Sequence, residues 1–287
     1  RKNEIFADVL GRLSTLMNKK GDNIRSRIYS RAQDTVLGIT EDITDVKQLE
    51  GKPNIGPTIL AKMAEYNETG TLRVFEREKE NPEMWLTDIY GIGPKKAQDM
   101  IKNGVDTLEK LRANQSLLTS AQKIGLEFFD DIETTIPRSE IDEFANAFND
   151  VFIKSAPPGS KFEIVGSYRR GKLESGDIDI IITNSDNNAR AFDAIIDALI
   201  GCKLVTHILS RGKTKSLTLA KLHGKRHRRV DLLYSPPDEY AFAILYFTGS
   251  KAFNTVQRQR ANDMGFTLNE HGLHEMVGGS KCDKVKG

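Results

Sequence analysis

The segment from Ser175 to Thr183, SGDIDIIIT, sets two aspartates one residue apart at the head of an otherwise apolar run. On a strand, residues i and i+2 share a face, with Cα atoms roughly 6.5–7 Å apart. Carboxylates held side by side repel, and burying both without compensation is costly. Either one of them faces solvent at the strand end, the usual fate of an isolated Asp-x-Asp, or a divalent cation compensates the pair. A third aspartate sits in Val230-Asp231-Leu232-Leu233, whose apolar flanks mark a buried strand. A carboxylate without a partner is unexpected there. Two magnesium ions, roughly 3.5–4 Å apart, would be bridged by Asp177 and Asp179.

The residues ahead of the aspartates suit a phosphate ligand. Gly166-Ser167 follows the strand-like Phe162-Glu163-Ile164-Val165 and opens a short helix, putting backbone N–H groups where a triphosphate can rest. Arg170 lies on the same helical face as Ser167, where a guanidinium can grip phosphate oxygens. Gly176 is expected to let the chain turn sharply into the aspartate strand. Strands are predicted at 162–165, 177–183, 216–219 and 230–233, with helices around 141–152 and 189–199 and a turn at Pro157-Pro158-Gly159. This alternation indicates an α/β or α+β catalytic unit after Pro137.

Residues 1 to about 80 read as helical instead. Ile5, Phe6, Val9, Leu10, Leu13 and Leu16 recur at helix spacing, as do Leu60, Met63 and Ala64. Pro53-Asn54-Ile55-Gly56-Pro57 and Tyr90-Gly91-Ile92-Gly93-Pro94 each lead into a lysine-bearing helix, an internal repeat. Glycine allows close backbone approach, proline suits the first helical turn, and the free N–H groups there can meet a phosphate. A single turn of this kind is a helix connection; two resemble paired helix-hairpin-helix motifs, which hold the DNA backbone without reading its sequence.

Composition narrows the class. The 287 residues suffice for two or three packed units, and 38% hydrophobic with 29% charged residues is a globular balance. Two cysteines, Cys202 and Cys282, are too few for a disulfide framework and fit a reducing, intracellular compartment. No apolar run approaches the roughly 18 residues of a membrane span. The chain opens on Arg1 without a signal segment, so its numbering is expected to start inside a longer protein. A net charge of +2 is a weak indication of nucleic-acid binding, but Arg211 to Arg229 holds eight Lys or Arg and no acid. A solvated basic face and a phosphate-tracking groove account for that run equally well.

Taken together, GSYRRG (166–171), SGDIDI (175–180) and Arg229-Val230-Asp231 resemble the nucleotidyltransferase fold of family X DNA polymerases. The segments Tyr246 to Ser250 and Phe253-Asn254 resemble that family's nucleotide-binding segment, and the likeness runs over nearly the whole chain, including Ile124-Gly125-Leu126 and Ile136-Pro137-Arg138. It implies an α+β fold: a polymerase-beta-like palm with a mixed sheet, preceded by all-helical domains. The expected divisions are a lyase-like helical domain (1–82), a DNA-binding subdomain (83–137), the palm (138–245) and a nucleotide-binding subdomain (246–287) that stops at Gly287, short of the family's terminal acidic helix.

The resemblance also implies roles. Asp177 and Asp179 would bind both magnesium ions, with manganese able to substitute, and Asp231 would bind the catalytic one and help activate the primer 3′-hydroxyl. Arg138, Gly166, Ser167, Arg170, Ser175 and Gly176 would hold the triphosphate. Tyr246, Phe247, Gly249 and Asn254 would border the sugar and base, while Arg258 would touch the template and Arg229 the DNA. The carbonyls of Thr87, Ile89 and Ile92, and of Lys52 and Ile55, would take sodium or potassium at hairpins whose glycines are Gly56, Gly91 and Gly93. Lys62 falls at the Schiff-base lysine of the lyase, with Arg25, Arg27 and Tyr29 as candidate neighbours to make its amine neutral. A lysine alone on a helix is more often a surface charge. Thr58, Ala61 and Val74 stand where the polymerase-beta-like architecture is charged, so the lyase is expected to be slow. Lys251 likewise reverses an acidic position near the base.

The implied activity is template-directed gap filling in base-excision-type repair, by a monomer acting on gapped or nicked DNA with a 5′-phosphate and on deoxynucleoside triphosphates, in the nucleus or at a viral replication site. The rivals are a template-independent terminal transferase, against which no long insertion precedes Asp231, and a non-catalytic DNA-end scaffold. His223 and His227, at zinc-like spacing but without a cysteine pair, are expected to face DNA or solvent. His271 and His274 near Cys282 are no better as ligands, and Trp85 and Phe128-Phe129 read as core.

Overall fold

The computed structural model describes residues 1–188, 190–277 and, as backbone, 280–284. Two compact units divide the chain, residues 1–122 and 123–287.

The first unit is helical: α1 (Lys2–Lys19), α2 (Asn23–Leu37), α3 (Pro57–Thr69), α4 (Arg73–Glu78), α5 (Pro82–Leu86), α6 (Pro94–Lys102) and α7 (Leu108–Ala113), with α8 (Ser120–Glu127) leading out of it. Phe6, Leu10 and Leu13 of α1 meet Tyr29, Ala32 and Val36 of α2 and Ile59 and Met63 of α3 in one core. Ile5 breaks the pattern. It stays 47% exposed, since at 100° per residue it falls just outside the stripe that Phe6 and Leu10 bury.

The repeated turn is a repeated structure. In the first copy the Ile55 N–H donates to the Lys52 carbonyl at 3.2 Å, and in the second the Ile92 N–H donates to Ile89 at 3.0 Å. Gly56 (φ −94°, ψ 175°) and Gly93 (φ −87°, ψ 171°) then cap α3 and α6, each with proline at the first helical position. The left-handed residue of each turn is Asn54 in one and Gly91 in the other, the two residue types that adopt it most cheaply.

The second unit begins with α9 (Phe129–Glu133), β1 (Ile136–Pro137) and α10 (Arg138–Ser155). There follow β2 (Ser160–Ile164), α11 (Gly166–Arg169), β3 (Glu174–Ser175), β4 (Ile178–Asn184), α12 (Arg190–Gly201), β5 (Val205–Arg211), β6 (Lys215–Ala220) and β7 (Arg228–Tyr234). Last come α13 (Tyr240–Thr248), α14 (Lys251–Asp263), β8 (Phe266–Asn269), β9 (Gly272–Val277) and β10 (Ser280–Lys284). Five strands form a mixed sheet in the order β2-β4-β7-β6-β5, while β8, β9 and β10 make a separate antiparallel sheet. This is the α+β architecture the sequence predicts.

One pairing positions the site. β4 and β7 run parallel, and their register sets Asp179 opposite Asp231. Strand alternation sends Ile178, Ile180, Val230 and Leu232 into the core with Phe144 and Phe148 of α10 and Phe192 and Ile196 of α12. The aspartates between them therefore emerge on the other face. There Ile181 packs with Val165, Ala243 and Phe247.

Candidate functional site

Carboxylate oxygens of Asp177, Asp179 and Asp231 lie within 4.8 Å of one another. Asp177 stands one residue before β4, so its backbone escapes the sheet ladder while its side chain returns to the pair. Arg229, two residues before Asp231 on the same face of β7, pairs with Asp177 and approaches Asp231 through Nε at 3.3 Å. That approach is an ion pair without hydrogen-bond alignment. The buried Asp231 Oδ1 and Arg229 Nε both lack a hydrogen-bond partner.

Burial, then Asp177 and Asp231, push the Asp179 carboxyl up to about 7, against Arg229 and Lys215. Burial also raises Asp231, opposed by Arg229 and reinforced by Asp177. Burial disfavours the Arg229 cation, but Asp231, Asp177 and Asp179 outweigh it and strengthen its hold on the proton. Three carboxylates are met by one guanidinium within ion-pair distance, with Lys215 beyond it, which leaves the site short of positive charge. A buried carboxylate oxygen with no aligned hydrogen bond, beside two further carboxylates, is part of a donor set for a hard divalent cation; the residues fit a metal.

Gly166 shapes the wall beside them. It holds φ +63°, and a Cβ there would come within 2.5 Å of Asp179 Oδ2. Only glycine permits both the left-handed turn and this approach. The turn starts α11 beside the carboxylates, and the Val165 N–H donates to the Asp179 carbonyl at 2.9 Å. Arg138 is anchored to the same helix: its Nη1 donates to the Tyr168 carbonyl at 2.7 Å and its guanidinium stacks 4.1 Å over the Tyr168 ring. Tyr168 in turn donates its hydroxyl to Asp142 at 2.7 Å. The positioning role of Tyr168 and Asp142 left no signal in the sequence, because it depends on how α10 and α11 meet. Arg170 Nη1 donates to the Thr248 carbonyl at 2.6 Å, which ties α11 to the end of α13 and leaves most of its donors free.

Two expectations are corrected here. Ser175 is 4% exposed, and its hydroxyl bonds Ser167 Oγ at 2.7 Å; its side chain supports Ser167 and does not open toward a ligand. Gly176 has no positive φ and open space around a Cβ, so no sharp turn depends on it. The antiparallel β1–β3 ribbon, pairing Ile136 with Ser175, steers the chain instead.

Phe247 packs against Val165 and Ile181, and Tyr246 meets it edge-on at 5.2 Å. Gly249 closes α13 at φ +69°, where a Cβ would lie 3.2 Å from Arg170 Nη1. Asn254 Nδ2 donates to the Tyr246 carbonyl at 2.7 Å, and Arg258 Nε reaches the Asn254 carbonyl at 3.3 Å.

The basic run is mostly spoken for. Arg211 pairs with Asp193 and Asp197, Lys225 with Glu143 and Arg226 with Asp131. Arg228 grips the buried Glu140 with two bonds of 2.7 and 2.9 Å, and Arg229 serves the carboxylates. Five of the run's eight cations thus already hold an acid within the chain. His227 does not face solvent either; its ring meets that of Phe128 at 4.1 Å and a 43° tilt, and its Nδ1 lies 3.3 Å from an Asp131 carboxylate oxygen.

In the first unit, Gly56 and Gly93 have open space where a Cβ would be, as a close backbone approach requires, whereas Gly91 is covered by Gln122. Gln122, 6% exposed, donates to the Gly91 carbonyl at 2.5 Å, accepts the Thr119 N–H at 3.0 Å and receives Lys96. The sequence reading missed it, because nothing in its neighbours marks it as the brace of a turn some thirty residues earlier. Of the proposed cation-binding carbonyls, those of Lys52 and Ile89 already accept a turn bond, with a second lone pair to spare; Ile55, Thr87 and Ile92 lie in or beside the same turns. Lys62 is half-buried on α3. Arg25 is turned to Asp22 at 2.5 Å, and burial raises the Tyr29 hydroxyl against the pull of Arg25.

Residues 135–237 match the family model for the DNA polymerase beta palm, 85–133 the fingers domain of DNA polymerase lambda, 1–72 a helix-hairpin-helix domain and 243–286 the DNA polymerase beta thumb. DNA polymerase lambda of Rattus norvegicus is 32% identical over 276 residues, covering 92% of this chain and 48% of its own length. DNA polymerase lambda of Arabidopsis thaliana is 30% identical over 288 residues (94% and 54%). The DNA polymerase type-X family protein pol4 of Schizosaccharomyces pombe is 28% identical over 268 residues (88% and 52%). The chain thus spans about half the length of the curated relatives it matches. With helix-hairpin-helix, fingers, palm and thumb segments following one another along nearly the whole chain, and the carboxylate cluster in the palm, the chain belongs to the X family of DNA polymerases.

Proposed function

We propose that the chain is a template-directed DNA polymerase that fills short gaps in base-excision-type repair, adding deoxynucleotides to a primer end. The observation that carries this reading is the cluster of three carboxylates, with the buried Asp231 Oδ1 held only by the ion pair to Arg229, beside the Gly166 turn. Magnesium, or manganese in its place, would be held by Asp177, Asp179 and Asp231 and would supply charge neutralisation at the attacking and leaving oxygens. Asp231, whose proton affinity is raised, would draw the proton from the primer 3′-hydroxyl. Arg138, Ser167 and Arg170 would orient the triphosphate so that its α-phosphorus lies in line with that oxygen and pyrophosphate leaves opposite. Phe247, packed on the sheet, and Tyr246 would form the wall against the sugar. Arg229 would exchange its carboxylate partners for DNA.

The two helix-hairpin-helix turns would hold the DNA backbone on either side of a gap, with sodium or potassium at their carbonyls. The 1–82 segment would carry a slow deoxyribose-phosphate lyase through Lys62. A single chain supplies every group named, so a monomer suffices, and the work would be done in the nucleus or at a viral replication site. No helix among the described residues is long and apolar enough to cross a membrane. Primer extension on a one-nucleotide gap, with and without a downstream 5′-phosphate, tests the reading. Faster filling with the phosphate is expected; equal extension of a primer without template would turn the assignment to a terminal transferase.

A further inference from the structure

A cleft of about 730 Å³ opens on the second unit beside the end of α12 and the β6–β7 connection, lined in part by Ala147 and Val151 of α10. It cannot belong to the carboxylate site. Ala147 and Val151 pack against the core that Ile178, Ile180, Val230 and Leu232 enter, whereas Asp179 and Asp231 emerge on the opposite face of the same strands. Its floor is apolar, with Leu204 buried and Leu222 and Val151 half-buried. Its rim is cationic, formed by Lys203, Lys221 and Lys225, with His223 among them.

Three features narrow what fits. Lys203 follows α12 in the left-handed region at φ +63°, where glycine or asparagine is usual and a lysine side chain is held at a conformational cost. Among the described residues, neither Lys203 nor Lys221 pairs with an acid, while Lys225 takes the Glu143 carboxylate at 3.3 Å. Along the same run, Arg211, Arg226 and Arg228 are bound to Asp193, Asp131 and Glu140. A nucleic-acid strand needs a continuing phosphate track and has no use for an apolar floor. A short acidic segment with apolar side chains uses both, its carboxylates at the lysines and its apolar groups on Leu204, Leu222 and Val151. We propose that this cleft docks an acidic, apolar-anchored peptide of a partner protein, on the face of the palm away from the chemistry.

Fluorescence anisotropy with a labelled peptide of alternating Asp and Leu tests the proposal, against a control peptide with Lys in place of Asp. The acidic peptide is expected to bind saturably at low salt, and Lys203→Glu with Lys221→Glu should weaken it about tenfold or more. Primer extension and melting temperature should stay at wild-type values in that variant. Alkylating Cys202, which is exposed at the cleft mouth, with a bulky maleimide should block the peptide and spare extension. Absence of saturable binding, undiminished binding by the charge-reversed variant, or equal binding of the Lys peptide would overturn the proposal. So would displacement by gapped duplex, which would make the cleft a DNA surface, or by millimolar inorganic phosphate, which would make it a site for small anions.

Discussion

Asp179 pays most for the carboxylate cluster, and its titration predicts how metal and pH will interact. Because its folded-state value is raised to about 7, its contribution to stability is fully present below the unfolded value near 4 and is lost as pH rises through about 7. A divalent cation removes that loss by taking the ionised form. Magnesium should therefore raise the melting temperature more at pH 8 than at pH 6, and an equal rise at both would mean that the cluster does not bind it. Glu78, buried in the first unit, behaves oppositely. Burial disfavours its charge, but hydrogen bonds from Lys20, Asn81 and Arg77 prevail and bring it down to about 2. Its stabilisation is present above the unfolded value near 4.5 and vanishes as pH falls through about 2. Glu78→Gln should cost about 1–3 kcal/mol at pH 7, with the difference from wild type narrowing below pH 4. Denaturant unfolding at both pH values checks this.

At the scale of elements, the β4–β7 register and the Gly166 turn make the site. Alternation in SGDIDIIIT and RVDLL was enough to predict two strands with carboxylates on a shared face, but not that the strands are parallel neighbours in register. Gly166→Ala should cost about 1–3 kcal/mol, because a side chain is forced to positive φ against Asp179, and primer extension should fall at least about tenfold. Gly176→Ala, at an ordinary φ with open space, should leave unfolding unchanged. If the two substitutions prove equally harmful, the steric account of Gly166 is wrong. β5 and the β8–β10 sheet were not legible. Val205–Arg211 mixes polar and apolar residues at a sheet edge, and the short strands beyond Phe266 gain their identity from one another.

For the whole molecule, Lys62 lies in the first compact unit and the carboxylates in the second, so the two proposed activities should separate. Asp231→Ala should abolish extension while retaining affinity for gapped DNA and borohydride trapping on an abasic 5′-phosphate end. Lys62→Ala should lose most trapping yet still extend an ungapped primer, both measured against wild type. Trapping that survives Lys62→Ala undiminished would assign the amine elsewhere. Several determinants were written locally. Period-2 alternation placed Asp179 and Asp231, period-3.6 spacing placed the α1 and α3 cores, and the glycine–proline turns announced their helices, because each depends on neighbours within one element. What the tertiary structure alone decided depends on distant partners. Arg228 is drawn to Glu140 and Arg226 to Asp131, which gives much of the basic run acidic partners within the chain. Ser175 turns inward to Ser167, and Gln122 braces Gly91. A sequence shows which charges and donors a chain possesses. Packing decides which of them are already satisfied within the chain, because only the fold brings an acid or a carbonyl within hydrogen-bond reach.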